Sequence, residues 1–340
     1  MHKNSFRLLG LIIALSGFAI SSYAADQAFP AVGELKQYAP EFALLIKPNT
    51  KIEKIAEGFE WAEGPVWVPE GKYLLADDVP QNTMHRWTAH DGLTVFLKPS
   101  GLEGSDSVGF SETGANGLFL ESAHTLLAAD SGNRRITRID LTTKHKAIVV
   151  DTYQGKKFNS PNDMIKSRSG NIYFTDPPYG LKGGNDSPLK ELKFNGVFRV
   201  DSKGVVSVID DSLTFPNGIA LSPDELTLYV SVSDPTNPIW MAYSLDASGA
   251  VIAKRDFANA KDLVAEKLPG LPDGMKVAKD GHLFASAPGG ILVMSATGKR
   301  LGLITTGAPI ANCAFGDDGK TLYMTSQHSL ARVRLLIKAQ

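Results

Sequence analysis

Six polar residues recur at the head of one short pattern: Glu63, Asn116, Asn162, Asn217, Asp273 and Asn312. Two are carboxylates and four are amides, so a site that gathered them would offer oxygen donors and no His or Cys. That donor set suits a hard divalent cation. Ca2+ is the first expectation, with Mg2+, Mn2+, Zn2+ or Fe2+ behind it, and the two carboxylates would neutralise its charge. Taken one at a time, an Asn or Asp here also serves as a strand or turn initiator that satisfies local backbone groups. Glu63 is a poor turn residue, however, and two carboxylates converging on one point repel unless something positive lies between them.

The elements that must position these residues are legible in the same pattern. Fourteen residues after each head, the second of two short strands ends, at Asp77, Asp130, Asp176, Ser231, Ala287 and Ser326. Eleven residues after each head stands an apolar or aromatic residue: Leu74, Leu127, Tyr173, Leu228, Phe284 and Tyr323. Six copies in register, 39 to 56 residues apart, indicate an internal repeat of several short strands, the signature of propeller blades. Third strands are expected over 84–87, 136–140, 196–201, 241–245, 291–294 and 330–333, and fourth strands over 94–97, 147–150 and 205–209. The innermost strand of a blade faces the central channel, so the six heads would converge at one mouth.

The fold expected is therefore all-β, a six-bladed propeller over residues 51–340. Residues 51–57 alternate apolar and charged side chains as a half-buried strand should, and pairing this strand into the last blade would close the ring and remove exposed edges. Residues 25–50, with Pro30, Pro40 and Pro48, read as an arm laid over the body. Residues 177–195, rich in Gly and Pro, read as a rim over the site.

Residues 1–24 begin with Lys3 and Arg7, continue through an apolar run from Leu8 to Ile20 and end Ser22-Tyr23-Ala24. This is the form of a secretory signal peptide cut after Ala24, which places the mature protein in a bacterial periplasm or outside the cell, with no membrane partner after cleavage. A formal charge of −1 without any Lys/Arg run argues against nucleic acid. With 32 Gly and 19 Pro spread along a chain that is 43% apolar, disorder and coiled coil are excluded. The single cysteine, Cys313, cannot form an internal disulfide and reads as a small buried residue. No Gly-x-Ser-x-Gly elbow, His-Glu-x-x-His pair or Gly-rich phosphate loop is present, which disfavours serine-type hydrolysis and leaves metal-assisted chemistry.

Five segments together resemble the gluconolactonase / senescence marker protein (regucalcin) family: Glu63-Gly64-Pro65-Val66-Trp67, Ser160-Pro161-Asn162-Asp163, Tyr173 through Gly180, Phe215-Pro216-Asn217-Gly218-Ile219-Ala220, and Pro272-Asp273-Gly274-Met275. The Thr-Asp-Pro-Pro-Tyr-Gly run at 175–180 is similar to that of the bacterial sugar-lactone hydrolases. The resemblance covers residue 50 to the C-terminus. It implies a six-bladed propeller with one divalent cation in the central channel, held by Glu63, Asn162, Asn217 and Asp273. It also implies a role for Asp273 in proton transfer or direct attack, and substrate contacts from Asn116, Asn162 and Asn312. Animal members place an Arg two residues before the motif Asn, where this chain has Ser160, so their substrate contacts do not transfer. The implied reaction is hydrolysis of a sugar (aldono-)lactone such as gluconolactone or xylonolactone. A phosphotriesterase-like hydrolase using the same ring, and a non-catalytic calcium- or sugar-binding propeller, stand as alternatives.

Overall fold

The computed structural model describes residues 29–340; the expected signal peptide lies outside the described residues. Six antiparallel sheets follow one another along the chain as the blades of a propeller. The first four are four-stranded and run inner to outer. Blade one is Ala62–Val68, Tyr73–Asp78, Thr83–Thr88 and Gly92–Leu97; blade two is Leu118–Ser122, Thr125–Asp130, Arg135–Asp140 and Lys146–Val150. Blade three is Met164–Lys166, Ile172–Asp176, Gly196–Val200 and Val206–Asp210; blade four is Pro216–Leu221, Thr227–Val232, Ile239–Leu245 and Val251–Asn259. Blade five (Met275–Val277, Leu283–Ala287, Gly290–Met294, Arg300–Thr305) recruits one strand from the N-terminal region and blade six (Asn312–Gly316, Thr321–Ser326, Ser329–Arg334) recruits two. Inner strands contact one another from blade to blade around the complete ring, blade six against blade one included.

Closure occurs as expected: Ile52–Glu57 pairs antiparallel with Ser329–Arg334, with Ile52 opposite Val333 and Glu53 opposite Arg332. Ala31–Val32 then pairs on its outer side. The described part of the expected arm, residues 29–50, does more than lie over the body, because Glu34–Gln37 adds a fifth strand to blade five, with Leu35 opposite Ile304. Phe42, Leu45 and Ile46 follow it into the core between blades five and six.

The core is a ring of six apolar clusters, one at each blade junction. The residues eleven positions after the heads build it, and all six are at most 1% exposed. Tyr173 of blade three packs with Leu228 and Val230 of blade four, for example, and Tyr323 of blade six with Leu74 and Trp87 of blade one. Two fourth strands have no counterpart in the sequence pattern. Val251–Asn259 is mostly exposed and shows no apolar alternation. Arg300–Thr305 has four consecutive buried residues because the arm strand and Phe42 cover it, so it lacks the period of two of a half-buried strand.

Candidate active site

The blades bring the head residues to one mouth of the channel, stitched by bonds between neighbours. The Gly117 N–H donates to the Asn162 carbonyl (2.7 Å), the Thr175 hydroxyl to the Asn217 carbonyl (2.5 Å), the Ser231 hydroxyl to the Asp273 carbonyl (2.8 Å) and the Gly274 N–H to the Ala311 carbonyl (2.8 Å). Four of the six heads are followed by glycine, and the reason is close approach. A Cβ on Gly218 would lie 2.3 Å from the Asp273 carbonyl oxygen, and one on Gly117 2.5 Å from Asp163 Oδ1. Asp163 and Cys313 occupy the corresponding positions in blades three and six.

The turn that carries Asn162 is fixed by the Thr-Asp-Pro-Pro-Tyr-Gly run. Asp176 Oδ2 accepts the Asn159 N–H (2.8 Å), and Asn159 Nδ2 donates to the Asp176 carbonyl (2.9 Å). The Ser160 hydroxyl donates to the Pro177 carbonyl (2.6 Å) and accepts the Gly180 N–H (2.9 Å). Ser160, 1% exposed, thus ties the Asn162 turn to the loop bearing Tyr179, while Tyr179 stacks on Phe215 with ring centroids 5.9 Å apart. The expected rim is present to that extent: Tyr179 lines the cavity over the heads.

That cavity, about 810 Å³, is lined by Glu63, Asn116, Asn162, Asn217 and Asp273. Above them stand Glu112, Ser111, Tyr179 and Ser233 on polar walls, and Trp61, Leu271 and Ile310 on apolar ones. Asn312 is not among its lining residues. Its Oδ1 accepts from Lys276 Nζ (3.2 Å) and from the Cys313 N–H (2.9 Å), and its amide fills the space over Gly274, where a Cβ would lie 2.0 Å from its Cγ. Cys313 is fully buried, its thiol pushed up to about 12 by burial and donating to the Phe284 carbonyl, so it is a packing residue with no thiolate character.

The donors that face the cavity fit an oxygen-bound cation. Asn217 Nδ2 donates to the Ser233 hydroxyl (2.9 Å), which turns its Oδ1 the other way, and that oxygen is buried with no partner. Asn116 Oδ1 is likewise buried and unpartnered. Orphaned buried carbonyl oxygens are rare because each forfeits a hydrogen bond. Burial raises Glu63 to about 8, with Asp163 and Glu112 adding to the effect and the Gly64 N–H, which donates to its Oε2 at 3.0 Å, opposing it. Burial also lifts Asp273 well above the usual carboxylate range, and Glu63 and Asp163 push it further. Two buried, raised carboxyls, with Glu63 acting on Asp273, beside two orphaned amide oxygens make a concave set of hard ligands short of one positive charge. Among the described residues no three His, Cys, Asp or Glu side chains cluster as a metal centre, so amides must complete any ligand shell here.

Sequence reasoning passed over three groups. Asp163, 1% exposed, lies in the channel beneath the cavity, raised by burial and opposed by Lys276. Glu112 enters from the loop between blades one and two, and no other repeat carries an equivalent, so only its loop position before Asn116 could have marked it. Tyr179 stood inside a quoted motif, and its buried, unpartnered hydroxyl is what singles it out.

Residues 61–328 match the family model described as the SMP-30/Gluconolactonase/LRE-like region. The chain is 45% identical over 307 residues to the gluconolactonase of Zymomonas mobilis, covering 89% of this chain and 86% of that one. It is 26% identical over 268 residues to a pentonolactonase of Haloferax volcanii, covering 78% and 80% respectively. Among solved structures, the gluconolactonase of Xanthomonas campestris superposes with a TM-score of 0.76 at 29% identity, over 90% of this chain and 97% of that one. The chain that folds into this propeller, with its channel-mouth carboxylates and amides, belongs to the SMP-30/gluconolactonase/LRE-like family.

Proposed function

We propose that the protein hydrolyses a sugar (aldono-)lactone, such as gluconolactone or xylonolactone, to the aldonic acid, with one divalent cation held by Glu63, Asn162, Asn217 and Asp273. The observation that carries this reading is the pairing of two buried, raised carboxyls, Glu63 acting on Asp273, with the orphaned amide oxygens of Asn116 and Asn217 at the floor of the cavity. The names of the Zymomonas and Haloferax relatives support the substrate class. Ca2+ suits the all-oxygen, partly amide donor set best.

When bound, such a cation would polarise the lactone carbonyl and acidify a water molecule. The chain supplies the remainder. Asp273, on the rim of the inner strand of blade five, removes the proton of the attacking water. Attack at the carbonyl carbon forms the new C–O bond. The ring C–O bond breaks, and the leaving ring oxygen takes up a proton, so one water is consumed and the product is a hydroxy acid that ionises. Trp61, Leu271 and Ile310 exclude bulk water from one side, and Asn116 offers its free Oδ1 to the substrate from another. Asn312, held by Lys276, contributes to the support beneath the floor.

We also propose that the mature protein is exported, on the strength of the charged, apolar and small-residue succession that ends at Ala24. Acid release in a weakly buffered indicator assay tests the reaction across hexono- and pentonolactones. Wild-type protein is expected to exceed the spontaneous rate, and Asp273→Ala and chelated protein to fall to it. If all three traces follow the spontaneous rate the lactonase reading is wrong, and turnover of a phosphotriester in its place would move the assignment to that chemistry.

A further inference from the structure

Two cavity carboxyls, Glu60 and Glu112, have no use in the repeat or in the reaction above; Glu60 is exposed and accepts from the Gln81 amide, whereas Glu112 is largely enclosed. It is placed with care. The Ser111 N–H donates to the Gly180 carbonyl (3.0 Å), the Leu102 N–H to the Thr113 carbonyl (2.7 Å) and the Gly114 N–H to the Val79 carbonyl (2.8 Å), so the backbone on both sides of Glu112 is pinned. Gly132 lies against this segment so closely that a Cβ there would be 2.0 Å from the Thr113 carbonyl oxygen. The side chain lines the cavity, yet its Oε2 is shut off from solvent without a hydrogen-bond partner. No Lys, Arg or His among the described residues forms an ion pair with it. Among the other lining groups, Glu63 accepts the Gly64 N–H, Asn217 donates to Ser233 and the Ser111 hydroxyl donates to the Tyr179 carbonyl, while Asn116 Oδ1, Asn217 Oδ1 and the Tyr179 hydroxyl are also unpartnered; Glu112 is the carboxyl of this unpartnered set.

An acceptor held rigidly in a cavity and left without a donor is suited to a ligand that brings donors. The surroundings indicate which kind. Glu112 enters ahead of blade two, whereas Leu271 enters ahead of blade five, three blades round a six-bladed ring and hence across the channel. One wall is therefore a hydrogen-bond acceptor and the facing one is apolar. Burial raises Glu112 to about 7, and ionised or protonated it still presents an acceptor oxygen.

We propose that Glu112 is the specificity-determining residue for hydroxylated lactones, accepting hydrogen bonds from the substrate's ring hydroxyls. The inference rests on the lactonase reading and deepens it, from a lactone in general to a polyhydroxylated one chosen by an acceptor that a bare lactone leaves unpaired.

The test compares glucono-1,5-lactone with δ-valerolactone, which has the same ring and no hydroxyls, on the calcium-loaded full chain. In Glu112→Ala the ratio of kcat/KM for the first over the second is expected to fall by about tenfold or more, chiefly through KM for the gluconolactone. Glu112→Gln, which keeps one acceptor oxygen, should fall between. A ratio unchanged in both variants overturns the proposal, and so does loss of the bound cation in Glu112→Gln, which would make Glu112 a metal ligand. Calorimetric titration with the sugar lactam, which keeps the hydroxyls and does not open, gives a readout free of turnover. If the wild type opened neither lactone, the lactonase reading would fail. Weaker lactam binding by Glu112→Ala would still support the role in hydroxyl recognition, and equal binding would remove it.

Discussion

Replacing Asp176 with Asn should stabilise the protein, and by about 3 kcal/mol more at pH 8 than at pH 5. Asp176 is fully buried at the end of the second strand of blade three, and burial raises it from 3.8 to about 7, with the Asn159 N–H and Arg134 opposing the rise. In the unfolded chain the group loses its proton near its ordinary value, whereas the folded protein keeps it until about pH 7. Between those two values the native state binds the extra proton, so stability falls as pH rises through this window and the whole loss is felt above it. From pH 5 to pH 8 the shift amounts to about 3 kcal/mol at 1.36 kcal/mol per pH unit. In Asp176→Asn the new Oδ1 can still accept the Asn159 N–H, and the amide nitrogen takes the place of Oδ1, which has no partner. Urea unfolding of both proteins at pH 5 and pH 8 in one calcium-containing buffer gives the comparison. The variant should gain about 3 kcal/mol on the wild type between the two pH values, with equal denaturant slopes. A difference that is the same at both pH values would refute the assignment of a buried, proton-retaining carboxyl.

Gly218→Ala should destabilise the fold by about 1–3 kcal/mol in urea unfolding, because its φ lies outside the left-handed region and the cost is that of a Cβ displacing the Asp273 carbonyl; a loss below about 0.5 kcal/mol would contradict the close approach. Cation binding to chelated protein should release protons and tighten as pH rises, since Glu63 and Asp273 are both raised and must be ionised to act as ligands; calorimetry in buffers of different ionisation enthalpy measures the release. The intact mass of exported protein should correspond to a chain beginning at Ala25.

How much of this was legible in the sequence depends on whether a residue obeys the repeat. Leu74, Tyr173 and Phe284 could be placed on the second strands because each sits at one fixed distance from its head, and the structure shows why they are apolar: burial at that position is imposed by the neighbouring blade. Glu63 and Asp273 stood out as acids where the other copies carry amides. Asn312 could not be distinguished from Asn116, because what separates them lies in other blades: Lys276 and the bare backbone of Gly274 draw the Asn312 amide beneath the floor. Glu112 was invisible for a different reason, being a loop residue outside the ruler, positioned by Gly180, Val79 and Leu102 from three other parts of the chain. Arg300–Thr305 escaped notice because its burial comes from the arm strand Glu34–Gln37.

The central claim is that the channel-mouth carboxylates and amides hold one divalent cation on which lactone hydrolysis depends. Titrating Ca2+ into chelated protein while following both heat and acid release from gluconolactone tests it most directly. Activity should return in step with binding and saturate at one equivalent, and Asp273→Asn should neither bind in that range nor regain activity. Full activity in the chelated protein, or calcium binding that restores nothing with any of the divalent cations considered, would contradict it.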